Sequence, residues 1–348
     1  MLEVDGSHGE GGGQLVRTAV AISAVIGVPI RVTNIRGKRR TPGLAAQHAA
    51  AVHAVAALCD AQCEGVQTGS TTITFSPRRL RGGEFEVEVG TAGSIALVLQ
   101  AMLPAAIATG QRVVMSIRGG TDVRAAPPID YVRLVLQPLL AIMGVHAELN
   151  VVRRGYYPKG GGEVRLALQP VTRLLPFVVK QRGPVRRIEA HAHVAHLPRQ
   201  IAERMQAAAR GALPADIAVE ARVEVCAPEL AFGPGGAIVL RALARHTTLG
   251  AAQVAERGVP AERLGLTAAQ TLRRDLDAAA TLDIHAADQM LVFFALADGP
   301  CAFRAAPLSS HARTTMWLLE QLTPVRFSVA DAGQGVSVRV VPRARDAG

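Results

Sequence analysis

The sequence predicts an α/β protein built from three repeated α/β units, with a smaller α/β domain inserted in the chain. Residues 9–57 and 91–142 share the triplet Ile-Arg-Gly, which begins at Ile35 in the first stretch and at Ile117 in the second. The same 82-residue offset carries Gly11 onto Gly93. Two matches in one register indicate an internal duplication.

Each copy predicts the same order of elements: a Gly-rich turn, an apolar helix, a β-branched strand, a Pro-containing loop and a second helix. The second helices should follow Pro42 and Pro128, because proline suits the first position of a helix. The other elements of the first two copies are helices 12–26 and 94–108 and strands 30–35 and 112–117. A third copy with shorter loops comprises helix 286–296, strand 301–304 and helix 310–322.

Residues 183–276 interrupt the repeat. They contain strand patterns at 187–194, 218–226 and 237–242, and a helical pattern at 267–280. We therefore predict a repeat-built domain over residues 1–183 and 277–340, an inserted α/β domain over residues 184–276, and a flexible tail over residues 341–348.

Composition narrows the class of protein. No stretch reaches the roughly 20 apolar residues that a membrane-spanning helix needs. The amino terminus lacks the basic segment and apolar run of a secretory signal, so we expect a cytoplasmic protein without a membrane partner. The four cysteines have no metal-binding spacing and are expected to be reduced.

The charge balance indicates an anionic partner. The net charge is +10 and the pI is about 10.4, and such a surface attracts phosphates, which favours nucleic acid or a nucleotide. Only 3% of the residues are aromatic, which argues against base stacking along an extended single strand.

Two basic or glycine-rich segments suit phosphate binding. The Gly-rich segment 10–14 opens the first helix, where backbone N–H groups can approach an anion, although it could also be only a tight turn. Glu10, Gln14 and Arg17 share a helix face, so a metal-binding carboxylate could lie beside a phosphate-binding guanidinium. The basic loop of Arg36, Lys38, Arg39 and Arg40 would suit phosphates, or be only a solvated loop.

A longer segment resembles the signature of the RNA 3'-terminal phosphate cyclase family, in which Arg or His and Gly precede Pro and three glycines. The segment reads Arg154-Gly155-Tyr156-Tyr157-Pro158-Lys159-Gly160-Gly161-Gly162. Family segments are also similar to residues 9–17, 35–43, 90–100, 119–128 and 285–289, and a family turn is similar to residues 233–236. The resemblance implies that each repeat is a four-stranded sheet with two helices.

The resemblance also implies the site. His311 occupies the place of the family's nucleophilic histidine, at a helix start that disfavours protonation of the ring; alone, it could be a structural histidine. The implied nucleotide-binding residues are Gln100, Pro127, His285, Ala286, Ala287, Asp288 and Gln289, of which Asp288 and Gln289 could otherwise cap a helix. The implied phosphate- and RNA-binding residues are Gln14, Arg17, Arg36, Arg39 and Gln47, and the implied metal ligand is Glu10.

The activity implied is ATP-dependent conversion of an RNA 3'-terminal phosphate to a 2',3'-cyclic phosphodiester, through histidine–AMP and RNA-adenylate intermediates, with Mg²⁺ or Mn²⁺. The implied partners are ATP and RNA, and an exposed repeat sheet would allow a homodimer. Two alternatives stay open: a non-catalytic relative that binds RNA in ribosome assembly, and an enolpyruvyl-type transferase. His311 and Asp288 disfavour the first, and the triple glycine disfavours the second.

His191, His193 and His196 suggest a metal site but are expected to be sheet-surface histidines.

Overall fold

The structure is a computed structural model that describes residues 1–90 and 92–342. Strands form four sheets with helices packed against them, and the predicted mixed α/β class is confirmed. Of the predicted tail, residues 343–348 lie outside the described residues, and Val341 and Pro342 complete the last strand.

The first unit contains four strands and two helices. They are β1 (Leu2–Asp5), α1 (Gly13–Ile26), β2 (Ile30–Thr33), α2 (Ala46–Cys59), β3 (Gln62–Glu64) and β4 (Ile73–Ser76). The sheet order is β1-β2-β4-β3, in which β1 and β2 are parallel and the other neighbours are antiparallel. Gly27 caps the carboxyl end of α1 with a φ of 68°, a left-handed conformation that glycine adopts without strain.

The second unit repeats this topology. Its elements are β5 (Gly83–Glu88), α3 (Ile95–Ala108), β6 (Val113–Gly119), α4 (Ile129–Tyr131), α5 (Gln137–Ile142), β7 (Ala147–Gly155) and β8 (Gly162–Leu168). A π-helical turn, Val132–Leu136, joins α4 to α5. The strand order β5-β6-β8-β7 has the same directions as in the first unit, and the bounds of α3 are those of α1 shifted by the predicted 82 residues.

The segment that interrupts the repeat forms its own sheet. It contains β9 (Val185–Ala195), α6 (Arg199–Ala212), β10 (Val219–Cys226), β11 (Ala231–Phe232), β12 (Gly235–Ala244), β13 (Thr248–Val254) and α7 (Ala261–Asp277). The order is β10-β9-β12-β13, and β11 instead pairs with β7 of the second unit. α7 begins six residues before the predicted helix at 267, because Pro260 and the helix-forming residues after it start the helix there.

The third unit comprises α8 (Ile284–Ala295), β14 (Cys301–Ala305), α9 (Ser310–Leu322), β15 (Val325–Asp331) and β16 (Val336–Pro342). Its described sheet, β14-β16-β15, has three strands, and Val178 takes the place of a first strand through one parallel bridge to Ala302. The bridge is closed by two backbone hydrogen bonds, from the Ala302 N–H to the Phe177 carbonyl and from the Val179 N–H to the Ala302 carbonyl. The interrupting segment is therefore inserted into the third unit, after the position of its first strand at Val178 and before its first helix, α8.

The helices of the three units pack together. α1 contacts α2, α3 and α9, and α8 contacts α3 and α9. One cluster of buried apolar side chains joins all three units, while a second, formed by residues between 188 and 280, lies between the inserted sheet and helices α6 and α7. The amino-terminal ends of α1 and α9 consequently lie beside one another, as the hydrogen bond from Gln14 to Thr315 shows.

The helices and the cysteines bear on the predicted class of protein. Within residues 1–90 and 92–342, no helix is both long and apolar enough to cross a membrane. Cys59, Cys63, Cys226 and Cys301 are free cysteines in the structure.

The buried carboxyl group of Asp275 should make the stability of the protein depend on pH. Asp275 is fully buried on α7, its oxygens lack a well-formed hydrogen bond, and the Arg274 guanidinium lies 3.9 Å away. Burial, with a smaller contribution from Asp283, raises the pKa of Asp275 from 3.8 to about 7. The folded state then binds this proton more tightly than the unfolded state, so this group lowers stability as the pH rises from about 4 to 7.

We expect Asp275→Asn to raise the melting temperature by about 2 °C or more at pH 8 and by less at pH 5, because the charged form is the costly one. Calorimetry at the two pH values measures this difference, with Asp277→Asn, an exposed carboxylate on the same helix, as the matched control. An equal effect of Asp275→Asn at both pH values would contradict the pKa assignment.

Candidate active site between the three units and the inserted sheet

A cavity of about 410 Å³ lies where the three units meet the inserted sheet. Most of the predicted nucleotide residues, with two of the predicted phosphate residues, line it: Gln14, Arg17, Gln100, Pro127, His285, Asp288, Gln289 and His311. Residues that are far apart in sequence, from all three repeats, thus face one space.

His311 lies at the second position of α9, with one ring nitrogen against a carboxylate. Ser309 caps this helix, since its Oγ accepts a hydrogen bond from the Ala312 N–H at 2.9 Å. His311 Nδ1 lies 3.3 Å from Glu10 Oε1, close but not aligned as a hydrogen bond, and Glu10 Oε2 accepts one from Arg39 Nη2 at 2.7 Å. The Glu10 carboxylate favours a proton on Nδ1, which leaves the lone pair of Nε2 free for nucleophilic attack.

The Gly-rich turn at the start of α1 lets two side chains lie directly against its backbone. A Cβ on Gly12 would overlap the Glu10 carboxylate, and one on Gly13 would overlap the His48 ring. α1 has no side-chain cap and no acidic residue in its first turn, so its first N–H groups are available to an anion. Burial, together with Arg17 and Arg36, lowers the pKa of His48 to about 3, so His48 is neutral here.

Arg17 supplies a buried positive charge without a full set of partners. Its side chain is 6% exposed, its Nη2 donates to Gln100 Oε1 at 3.4 Å, and its Nε has no hydrogen-bond partner within the described residues. Burial lowers the pKa of Arg17 to about 10, with Glu10 opposing, so Arg17 remains charged at neutral pH. A buried cation with an unsatisfied donor beside a cavity is suited to an anionic ligand.

Asp288 joins the two helices of the third unit. Its Oδ1 accepts a hydrogen bond from Ser309 Oγ at 2.5 Å, which ties α8 to the cap of the His311 helix. Burial raises the pKa of Asp288 to about 7, with Ser309 opposing. The alternative that Asp288 caps its helix is wrong, because α8 begins at Ile284 and Asp283 caps it by accepting from the N–H groups of the next turn.

Comparison with known proteins decides the family. A model of the family "RNA 3'-terminal phosphate cyclase" matches residues 8–329. This chain belongs to that family. Curated proteins named RNA 3'-terminal phosphate cyclase are similar over nearly their whole length. One from Nitrosospira multiformis is 51% identical over 98% of this chain and 97% of its own. One from Methanopyrus kandleri is 42% identical over 98% and 99%.

A third such protein, from Hyperthermus butylicus, is 44% identical over 93% of this chain and 92% of its own. Among solved structures, the enolpyruvyl transferase NikO from Streptomyces tendae aligns over 99% of this chain and 66% of its own, with 13% identity. Its TM-score of 0.28 is too low to support a shared fold.

Some residues predicted from the cyclase resemblance do not line the cavity. Ala286 and Ala287 are buried in the first turn of α8. Arg36 Nη1 donates to the Gly43 carbonyl at 2.8 Å and so holds the basic loop, while Gln47 Oε1 accepts from the Ser94 N–H at 3.5 Å. Arg39 contacts Glu10 and lies near Gly12 of the Gly-rich turn. A phosphate role for Arg36, Arg39 and Gln47 stays a prediction.

The structure also shows cavity residues that the sequence analysis missed. Gln253 and Val254, at the end of β13, and Glu256, just beyond it, also line the cavity, and Arg124 Nε lies 3.7 Å from Glu256 Oε2. Gln253 and Val254 are consecutive residues at the end of β13 and Glu256 lies beyond it, so the alternation of the strand does not single them out as one face. The expectation that His193 is a sheet-surface histidine is wrong, since His193 is 3% exposed and lies among charged groups.

In the part of the chain that the structure describes, protein side chains alone form no cage for a metal ion. Within residues 1–90 and 92–342, no group of three or more His, Cys, Asp or Glu side chains is arranged to hold one. Mg²⁺ commonly binds through one or two carboxylates and the phosphates of a substrate. Glu10 does not line the cavity itself, but its carboxylate lies against His311, which does, and fits that donor set. A cation there would replace or share a contact of Glu10 with Arg39 or His311.

Proposed function

We propose that this protein uses ATP to convert an RNA 3'-terminal phosphate to a 2',3'-cyclic phosphodiester. Membership of the cyclase family supports the reaction class. The observation that carries the finer proposal is the arrangement of His311, whose Nδ1 faces Glu10 while its ring lines a cavity that also contains the unsatisfied guanidinium of Arg17.

The first step is attack of His311 Nε2 on the α-phosphorus of ATP. A nitrogen–phosphorus bond forms, the bond to the pyrophosphate oxygen breaks, and AMP is left on the histidine. The lone pair is available because the Glu10 carboxylate keeps the proton on Nδ1. Arg17 and the free N–H groups at the start of α1 stabilise negative charge on the phosphates during the attack.

The second and third steps involve the RNA. An oxygen of the RNA 3'-phosphate attacks the phosphorus of the histidine-bound AMP, which forms an RNA-adenylate and frees His311. The neighbouring 2'-hydroxyl then attacks the RNA phosphorus, the cyclic phosphodiester closes, and AMP leaves with the electrons of the anhydride bond. Activation is needed because a phosphate oxygen is a poor leaving group, whereas AMP leaves readily.

The remaining predicted residues fit two roles. In the proposal the base and sugar of ATP lie along Gln100, Pro127, His285 and the first turns of α8, where Asp288 and Gln289 face the cavity. Ala286 and Ala287 shape that turn without lining the cavity. Arg36, Arg39 and Gln47 are assigned to RNA phosphates, since they lie in or just after the basic loop.

A divalent ion, Mg²⁺ or Mn²⁺, would be held by Glu10 together with phosphate oxygens of ATP. When bound, it neutralises charge on the triphosphate. Because Glu10 also faces His311, this residue would position both the ion and the ring.

A non-catalytic RNA-binding role is less well supported, because it would leave the Glu10 and His311 pair and the buried Arg17 without a task.

We further propose that residues 184–276 are a separate domain, since most of that segment's buried apolar side chains form their own cluster. A cytoplasmic location agrees with four free cysteines, and the homodimer stays a prediction.

The proposed function is tested with an RNA oligonucleotide that carries a 3'-phosphate. With ATP and Mg²⁺, the wild-type protein should convert the 3'-phosphate to a cyclic phosphodiester. A phosphatase cannot remove the phosphorus of that product, and mild acid reopens the ring. Without ATP, or with RNA ending in a 3'-hydroxyl, no conversion should occur. Tight RNA binding without conversion under any nucleotide or divalent ion would overturn the proposal in favour of the non-catalytic role.

Glu10→Gln should slow the formation of histidine–AMP by about 10- to 100-fold, because the amide no longer fixes the proton on Nδ1 of His311. The rate is measured by rapid quench with α-labelled ATP. Glu3→Gln, which removes an exposed carboxylate from the same segment, is the matched control. If Glu10→Gln and Glu3→Gln react at the same rate, the orienting role of Glu10 is wrong.

A further inference from the structure

A buried cluster of four ionisable side chains lies beside the cavity and has no role in the proposed chemistry. It surrounds the base of the loop between β6 and α4. This loop is closed by the Ile129 N–H, which donates to the Thr121 carbonyl at 2.9 Å. Asp122 stands just inside one end of the loop and Asp130 just beyond the other, and both are buried.

Arg154, the first residue of the signature segment, joins these two carboxylates. Its Nη2 donates to Asp130 Oδ2 at 2.8 Å and its Nη1 to Asp122 Oδ2 at 3.4 Å. The Arg154 side chain is only 6% exposed, and within the described residues it does not line the cavity. The signature arginine therefore holds the two ends of a loop and does not face the nucleotide site.

The inserted domain contributes the fourth member of the cluster. His193 on β9 places Nδ1 3.4 Å from Asp130 Oδ2 and Nε2 3.7 Å from Asp122 Oδ2. His193 thus faces the same two carboxylates as Arg154 from the opposite domain. It lies in a strand that is paired on both sides, so its position is fixed by backbone hydrogen bonds.

The charges in this cluster depend on one another. Burial alone would raise the pKa of Asp122, but His193 and Arg154 outweigh burial and lower this pKa to about 2. Burial opposes the charge of Arg154, whereas Asp122 and Asp130 raise its pKa. Loss of Arg154 would leave two buried carboxylates without their guanidinium partner, and this is costly in a protein interior.

The loop that the cluster holds forms one wall of the cavity. Residues 123–128 all line the cavity and belong to no helix or strand. They include Pro127 and Pro128, which cannot donate backbone hydrogen bonds, and Ala125, whose φ of 59° is unusual for alanine. A wall of this kind needs support from outside itself, and the cluster at its base provides it.

We propose that Arg154 and His193 are positioning residues that fix the wall formed by residues 123–128 against the base and sugar of the bound nucleotide. The inference rests on the proposed function, because it takes the cavity as the ATP site. It gives the inserted domain a task in nucleotide binding, since that domain supplies His193 and also lines the cavity through Gln253 and its neighbours. The effect should therefore fall on ATP and spare the RNA terminus.

The test compares His193→Gln with His191→Gln, which makes the same change two residues earlier on the same strand and outside the cluster. His191 lies near Glu189 instead. For His193→Gln we expect the KM for ATP and the Kd for ATP, measured by calorimetry, to rise about tenfold or more, with the KM for RNA within about twofold of wild type. Arg154→Lys, which keeps the charge but loses the fork, should act in the same direction. His191→Gln should match wild type.

Three results would overturn the inference. One is an unchanged Kd for ATP in both His193→Gln and Arg154→Lys. Another is a variant in which the KM values for ATP and RNA rise equally and the melting temperature is lower, since that combination indicates a purely structural role. A third is the same effect from His191→Gln. If wild-type protein binds no ATP at all, the proposed function fails first, so the two failures are distinguishable.

Discussion

His311→Asn should abolish cyclisation, with a loss of at least about a thousandfold in single-turnover rate. Asparagine can keep a polar atom near the Glu10 carboxylate, but it has no counterpart of the imidazole Nε2. The nucleophile is therefore removed while the contact at Glu10 and the Ser309 cap can remain. The rate is measured from conversion of RNA bearing a 3'-phosphate with protein in excess.

His53→Asn is the matched control. It is the same substitution at an exposed position on another helix, α2. We expect it to react at the wild-type rate. Cyclisation by His311→Asn within tenfold of wild type would show that the covalent step does not involve this residue.

Arg17→Met should weaken ATP binding and slow AMP transfer by about 100-fold or more, since the side chain supplies a buried positive charge with an unsatisfied donor beside the cavity. The same substitution should not lower the melting temperature, because an apolar side chain of similar length replaces a buried charge that no carboxylate contacts closely. Calorimetric titration with ATP and thermal unfolding measure the two effects.

Arg31→Met, at an exposed position on β2, removes the same charge from the surface and should leave ATP affinity unchanged. Arg17→Lys should lie between wild type and Arg17→Met, because it keeps the charge but loses the guanidinium fork. An Arg17→Met protein that binds ATP as wild type does would contradict the anion site at the start of α1.

The sequence predicted the repeat well because duplication leaves a register that can be read directly. α1 and α3 have the predicted 82-residue offset, and α9 has the predicted bounds. The side chains expected at the nucleotide also converge, since His311, Arg17 and Gln100 line one cavity although they come from three different units. That convergence depends on how the helices pack, which no local pattern encodes.

Other features depended on contacts between distant segments. The first strand of the third unit is reduced to a single bridge between Val178 and Ala302. Asp288 is not a cap because Asp283 starts the helix earlier than predicted. The burial of His193 could not be read from its strand, because its partners Asp122 and Asp130 come from another unit.

The most direct test of the account is to locate covalent AMP. Protein incubated with ATP and a divalent ion is digested, and its peptides are analysed by mass spectrometry under conditions that preserve phosphoramidates. The account predicts one AMP adduct, on His311, which disappears when RNA with a 3'-phosphate is added. An adduct on another residue, or cyclisation by a protein that never carries AMP, would contradict it.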